Sequence, residues 1–166
     1  ETKLDKILTD FETANDTKTQ TPGKNLRALL DQSPDLKARI VDSVAKGHLE
    51  KFELLPKGEN AGGSYSPDDK AISLPVDELN KAGKSKASAA ELVFVMGHEI
   101  QHSFNSTVAD KGYSDFTTSV DKMAKGPGPH DYTAAVKTFI QVNRDDEAGA
   151  HIGGFNAISS QVMKDN

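Results

Sequence analysis

Five consecutive apolar residues, Leu92-Val93-Phe94-Val95-Met96, run directly into Gly97-His98-Glu99-Ile100-Gln101-His102. A stretch that is apolar all round and then continues at helical spacing describes a buried helix rather than a surface one. On that helix Val93, Met96, Ile100 and Phe104 share one side, and His98 and His102 lie roughly opposite, one turn apart. Ser88-Ala89-Ala90-Glu91 upstream has the form of a capping box, which predicts a helix over about 88 to 106. Two imidazoles so placed can meet one metal ion, with Glu99 beside the position where such an ion activates water. Two incidental histidines and a glutamate on a buried helix would lack partners, so a shared task is the better reading.

A zinc that does chemistry takes three protein ligands and leaves one position open. A glycine and a third histidine following the second would extend the pattern, but those places hold Asn105 and Val108. A glutamate from a later helix is the other source. Asn143, Glu147 and His151 share one helical face in Asn143-Arg144-Asp145-Asp146-Glu147-Ala148-Gly149-Ala150-His151, with Glu147 the candidate ligand and Asp146 and His151 its competitors. The same segment carries Gly149, Gly153 and Gly154 inside a predicted helix from about Asp131 to Met163. Each glycine costs a helix about 1 kcal/mol relative to alanine, a cost that close approach of a second helix would justify. The plainer alternative is an amphipathic helix with Tyr132, Val136, Phe139 and Ile140 toward the core and a solvated acidic cluster at 145 to 147.

With these residues the chain resembles the zincin metallopeptidases, and a downstream glutamate makes it similar to their gluzincin branch. The resemblance implies His98, His102 and Glu147 as zinc ligands and Glu99 as general base. Many gluzincins place an aspartate four residues after the third ligand to orient the first histidine; here that place is His151. Its role stays open between orienting a ligand, donating to the transition state and ligating the metal itself. The Gly154-Phe155-Asn156-Ala157 run and the small size also resemble zincin domains at the ends of secreted bacterial effector proteins, over about Gly62 to Val162.

Composition narrows the classes. The 166 residues, 36% hydrophobic and 27% charged, suffice for one globular domain with its own core, read as 1-166. A net charge of -5 argues against nucleic acid and anionic membranes as partners. No apolar run approaches the roughly 20 residues of a membrane span, and no signal peptide opens the sequence. The absence of cysteine excludes disulfides and thiolate ligands, and the opening without Met suggests a piece of a longer chain.

Around the motif, helices are predicted over Thr2 to Ala14, about Asn25 to Leu30, and from Ser33 as N-cap and Pro34 as first residue to Gly47; Thr17 to Lys24 reads as a polar loop. His48 reads as a surface or capping residue. Short strands follow at Lys51 to Leu54, stopped by Pro56, and at Ala71 to Leu74, closed by Pro75 as an edge strand. The turn-rich Ala61 to Lys70 lies between them. An edge strand beside the cleft would accept an extended peptide through backbone hydrogen bonds; a purely structural hairpin is the equal alternative. Ser103 to His130 reads as a loop with a helical turn or two near Thr117 to Ala124, making Tyr113, His130 and Tyr132 candidates to stabilise an oxyanion.

The expectation is therefore an α+β, zincin-like fold, mostly helical with a small mixed sheet beside the active-site helix. Its expected chemistry is zinc-dependent peptide-bond hydrolysis in a toxin or effector domain, secreted or delivered to the periplasm of a target cell. A peptide or protein is the expected substrate and a cognate immunity protein a partner. Two other readings stay open: hydrolysis of peptidoglycan cross-links on the same fold, and a non-catalytic metal-binding or interaction module. The ligand set also suits manganese or nickel.

Overall fold

The computed structural model describes residues 2–56 and 58–165, the last by its backbone alone. Three helices come first: α1 (Lys3–Asn15), α2 (Pro22–Gln32) and α3 (Pro34–Ala45). Thr2 and Asp5 form a reciprocal capping box at the start of α1. The end of the polar loop expected over Thr17 to Lys24 is instead the entry to α2, because Pro22 occupies a first-turn position where its missing N–H is no loss. Ser33 ends α2 and caps α3, accepting from the Leu36 amide (3.4 Å) and donating to the Ala157 carbonyl (2.8 Å). Gly47, with φ of 73°, carries the chain out of α3 in a conformation glycine adopts without strain.

A three-stranded sheet follows, formed by β1 (Lys51–Leu54), β2 (Ser64–Ser66) and β3 (Ala71–Leu74). Its order is β1-β3-β2, with β1 parallel and β2 antiparallel to β3. This corrects the assignment of β3 as an edge. Ala71, Ile72 and Leu74 are buried, as a strand paired on both sides and covered by helices requires. The edges are β1 and β2, and β2 lies in the stretch read as turn; three residues with two serines are too few to show a period.

The remaining helices are α4 (Val76–Ala82), which the sequence reading did not anticipate, α5 (Lys86–Ala124) and α6 (Thr133–Asp165). The cap of α5 is Ser85, whose hydroxyl accepts from the Ser88 amide, so the capping box at Ser88 is corrected by one turn. Continuation of α5 to Ala124 replaces the loop expected over 103–124, while 125–130 is the connection it was read as. That polar stretch holds one glycine and no proline before Lys125, and α6 runs back along it as an antiparallel partner. No described helix is long and apolar enough to cross a membrane.

One apolar core joins these elements. Leu26, Leu36, Ile40, Ile72, Leu79, Val93, Met96 and Ile100 are completely buried in it. Each such side chain contributes about 1.5–3 kcal/mol. On α5 the buried set is Ala89, Leu92, Val93, Met96, Gly97, Ile100 and Ser103, one continuous helical face. The fold is thus α+β, mostly helical with a small mixed sheet.

Candidate metal centre

The helix packing that builds the site is set by missing side chains. A Cβ on Gly97 would lie 2.7 Å from the Ala157 Cβ, 2.8 Å from the Gly153 carbonyl oxygen and 3.0 Å from the Gly154 Cα. One on Gly153 would lie 2.6 Å from the Gly97 carbonyl oxygen, and one on Gly154 2.7 Å from the Phe94 ring. Backbone therefore meets backbone where α5 and α6 cross, which accounts for the glycines of α6 that its helical propensity disfavours. Gly149 is looser, its nearest neighbour being the Asn105 amide nitrogen at 3.4 Å. The alternative core side of α6 is not found: Val136 and Ile140 are about two-fifths exposed.

This approach brings Glu147 to His98 and His102. The two Nε2 atoms are 3.0 Å apart, and Glu147 Oε2 and Oε1 lie 3.5 Å from His98 Nε2 and 3.8 Å from His102 Nε2 respectively. These ligand atoms all fall within 4.8 Å of one another. Ligands each about 2.0–2.1 Å from a tetrahedral zinc would be roughly 3.3 Å apart, so the donor set and its spacing fit such an ion. Both histidines are half-buried, whereas the Glu147 side chain is 58% exposed, so the cluster opens to solvent on the α6 side.

The histidines differ in support. His102 Nδ1 donates to Asp146 Oδ2 (2.9 Å), and Asn105 Nδ2 donates to Asp146 Oδ1 (2.7 Å). Because a carboxylate can only accept, the His102 proton is on Nδ1 and the Nε2 lone pair faces the cluster. His98 Nδ1 is buried and without a hydrogen-bond partner. Burial first, and then the neighbouring His102, push the His98 imidazole below its ordinary pKa, against the opposing pull of Glu147.

Glu99 faces the other flank of α5, toward the sheet. Burial raises the pKa of its carboxyl; His102 and a hydrogen bond from the Tyr65 amide act in the opposite direction. The adjoining turn is packed just as tightly, since a Cβ on Gly63 would lie 2.6 Å from Val95 Cγ1. The edge strand beside the motif is thus β2.

The other candidates divide. The His151 ring stands edge-on to His98 with centroids 4.9 Å apart. Its Nδ1 donates to the Glu147 carbonyl (2.9 Å), and the ring lies beside the three-ligand cluster rather than in it. Tyr113 is corrected. It lies on α5 eleven residues past His102, about 16 Å along the axis, and is 60% exposed against Phe139. His130 and Tyr132 neighbour each other in the α5–α6 connection, beyond the far end of α5, where neither reaches the histidines. Asp146, weighed from sequence as a competing ligand, instead accepts from His102 and Asn105, whereas Asn105 and Tyr65 were not assigned roles from sequence; Asn105 carried a signal as a polar residue one turn past His102.

No family model, curated protein or solved structure matches this chain.

Proposed function

We propose that the chain is a zinc-dependent metallopeptidase of zincin type that hydrolyses peptide bonds with Glu99 as general base. The observation carrying this reading is the convergence of His98, His102 and Glu147 within ligand distance of one another, with a half-buried Glu99 near enough for His102 and Glu147 to act on its carboxyl. A zinc held by those three residues supplies Lewis acidity, polarising a carbonyl and making water acidic near neutral pH. The remaining work falls to the chain. Glu99 takes the proton of the attacking water onto its carboxylate and returns it to the departing amine, a task its raised pKa suits. Asp146 holds the His102 ring and its tautomer. The free side of β2 lines the same flank as Glu99 and suits an extended peptide added to the sheet. As the biological setting we propose a toxin or effector domain acting on protein or cell-wall peptides, with a cognate immunity protein as partner.

Zinc content and peptide hydrolysis test the proposal together. One zinc per chain is expected for the wild type, lost in Glu147→Ala and retained in Glu99→Gln with hydrolysis reduced about 10²–10⁴-fold. A wild type that takes up no zinc, or a Glu99→Gln variant as active as wild type, overturns it.

A further inference from the structure

The metal cluster is tied to α3 by an unbroken chain of side-chain hydrogen bonds. Arg39 Nη1 donates to the Gly97 and Gly153 carbonyls (3.3 and 3.1 Å), and Nη2 donates to Gln101 Oε1 (2.5 Å). Gln101 Nε2 donates to Asn105 Oδ1 (3.0 Å), and Asn105 Nδ2 donates to Asp146 Oδ1 (2.7 Å). The other oxygen of Asp146 receives the His102 Nδ1 proton. The direction of every link is fixed from its ends. A guanidinium has donors only and a carboxylate acceptors only, so each intervening amide has a single orientation that satisfies both neighbours.

Arg39 is an expensive residue to place there. It is half-buried and makes no salt bridge among the described residues; Asp35, one turn earlier on α3, opposes its desolvation only through space. Its direct hydrogen bonds go to two backbone carbonyls and one amide oxygen. Desolvating a cation for packing alone is unfavourable, and an apolar residue would fill the same space at less cost. Setting a positive charge at one end of the chain and the negative Asp146 at the other polarises every bond between them in the same sense.

We propose that Arg39 is a positioning residue for His102, acting through Gln101, Asn105 and Asp146 to hold the ring and its Nδ1 proton so that Nε2 faces the cluster. Its purpose rests on the metal reading above, but the held proton is a property of the metal-free chain. A merely structural Arg39 would staple α5 to α6 through the Gly97 and Gly153 carbonyls and nothing more. The two roles separate at Gln101, since Gln101→Ala removes the chain and leaves both carbonyl bonds.

The experiment follows the His102 Nδ1–H proton by NMR in the intact, chelator-treated chain, for wild type, Gln101→Ala, Arg39→Met and the double variant. The wild type is expected to show a downfield, slowly exchanging resonance. Gln101→Ala should shift it upfield and speed its exchange about tenfold while the melting temperature stays within a few degrees of wild type, and the double variant should disturb the resonance no further than the worse single one. Zinc affinity is expected to fall about tenfold in Gln101→Ala. A Gln101→Ala resonance identical to wild type overturns the proposal, as do purely additive effects of the two substitutions. If the wild type takes up no zinc, the metallopeptidase reading fails and the proton resonance still decides the role of Arg39.

Discussion

The two halves of α5 are helical for different reasons. From Lys86 to Ser103 the helix is fixed by burial, with Leu92, Val93, Met96 and Ile100 in the core. From Phe104 to Ala124 no residue is buried, and the partner stretch of α6 has none before Ala150. The contact between the helices changes in parallel. At the core end backbone touches backbone through Gly97, Gly153 and Gly154. Along the outer arm side chains meet, as in the stacked rings of Phe116 and Phe139, 4.9 Å apart. Backbone contact cannot be re-optimised by rotamer changes, so it fixes position; side-chain contact holds the arm together while tolerating adjustment. His102 and Glu147 lie where one regime gives way to the other, close enough to the glycine crossing to be held and far enough out to be open.

The two halves are expected to differ most at Gly97. Gly97→Ala puts a methyl against the Gly153 carbonyl and the Ala157 Cβ, neither of which can swing aside. Overpacking of this kind costs about 1–3 kcal/mol, more than the 1 kcal/mol or so that alanine returns in helix propensity. Separation of the helices also withdraws Glu147 from the histidines. Zinc affinity is expected to fall by at least about tenfold, with a lower melting temperature in the metal-free chain. Titration against a competing chelator measures the first and circular dichroism the second. Wild-type zinc affinity in Gly97→Ala would mean that the crossing does not set the site.

Phe139→Ala tests the outer half. Loss of the stack with Phe116 and the contact with Tyr113 removes about 0.5–1.5 kcal/mol beyond lost burial, all of it within the arm. Amide exchange over 107–124 and 133–142 is expected to accelerate, while exchange over 89–103 and zinc affinity hold. Acceleration in both stretches would show the hairpin to be one cooperative unit.

What the sequence revealed follows the same division. Where burial decides structure, composition carries the signal: the apolar run before Gly97 identified the helix, and the two histidines with Glu99 identified its exposed side. The glycines of α6 announced a close crossing, and with it Glu147, because nothing else explains their cost. The outer arm carried no such signal. Residues such as Thr107, Ser114 and Thr117 have weak helix propensity and occur equally in loops, so the helix there depends on a partner that local reading cannot supply. The β2 strand was hidden for a similar reason, being held by pairing with β3 alone. Arg39 left a faint mark, since it lies on α3 three residues after Leu36 and next to Ile40, at the margin of a buried face.

The embedded half also carries a charge cost that the arm does not. Burial raises the Glu99 carboxyl above its ordinary pKa, so the folded chain holds that proton to higher pH than the unfolded chain does. Stability linked to Glu99 is fully present below the unfolded value, near 4.5, and is lost as pH rises through the folded one. In the chelator-treated protein, Glu99→Gln is therefore expected to raise the melting temperature at neutral pH and to make no difference below about pH 4. Asp115→Asn on the exposed arm, which breaks only an i,i+4 pair with Lys111, should change stability by less than about 0.5 kcal/mol at either pH. Denaturation scans at the two pH values distinguish them, and a Glu99→Gln effect that does not depend on pH would remove the burial argument.

The smallest expected effect is the most exacting test of the two regimes, because it places the Gly97 substitution at the other end of the same helix. A Cβ on Gly112 would lie 2.8 Å from Val142 Cγ1 and 3.3 Å from its Cβ, a clash nearly as close as that at Gly97. The obstacle here is a half-exposed side chain on a stretch of helix with no buried residue, so the arm can open by a fraction of an ångström at little cost. About 1 kcal/mol gained in helix propensity offsets that cost, and Gly112→Ala should leave the melting temperature within a few degrees of wild type and zinc affinity unchanged. If Gly112→Ala instead weakened zinc as Gly97→Ala is expected to, displacement would be travelling along α5 into the site. The arm would then be a lever on the metal centre rather than an appendage to it.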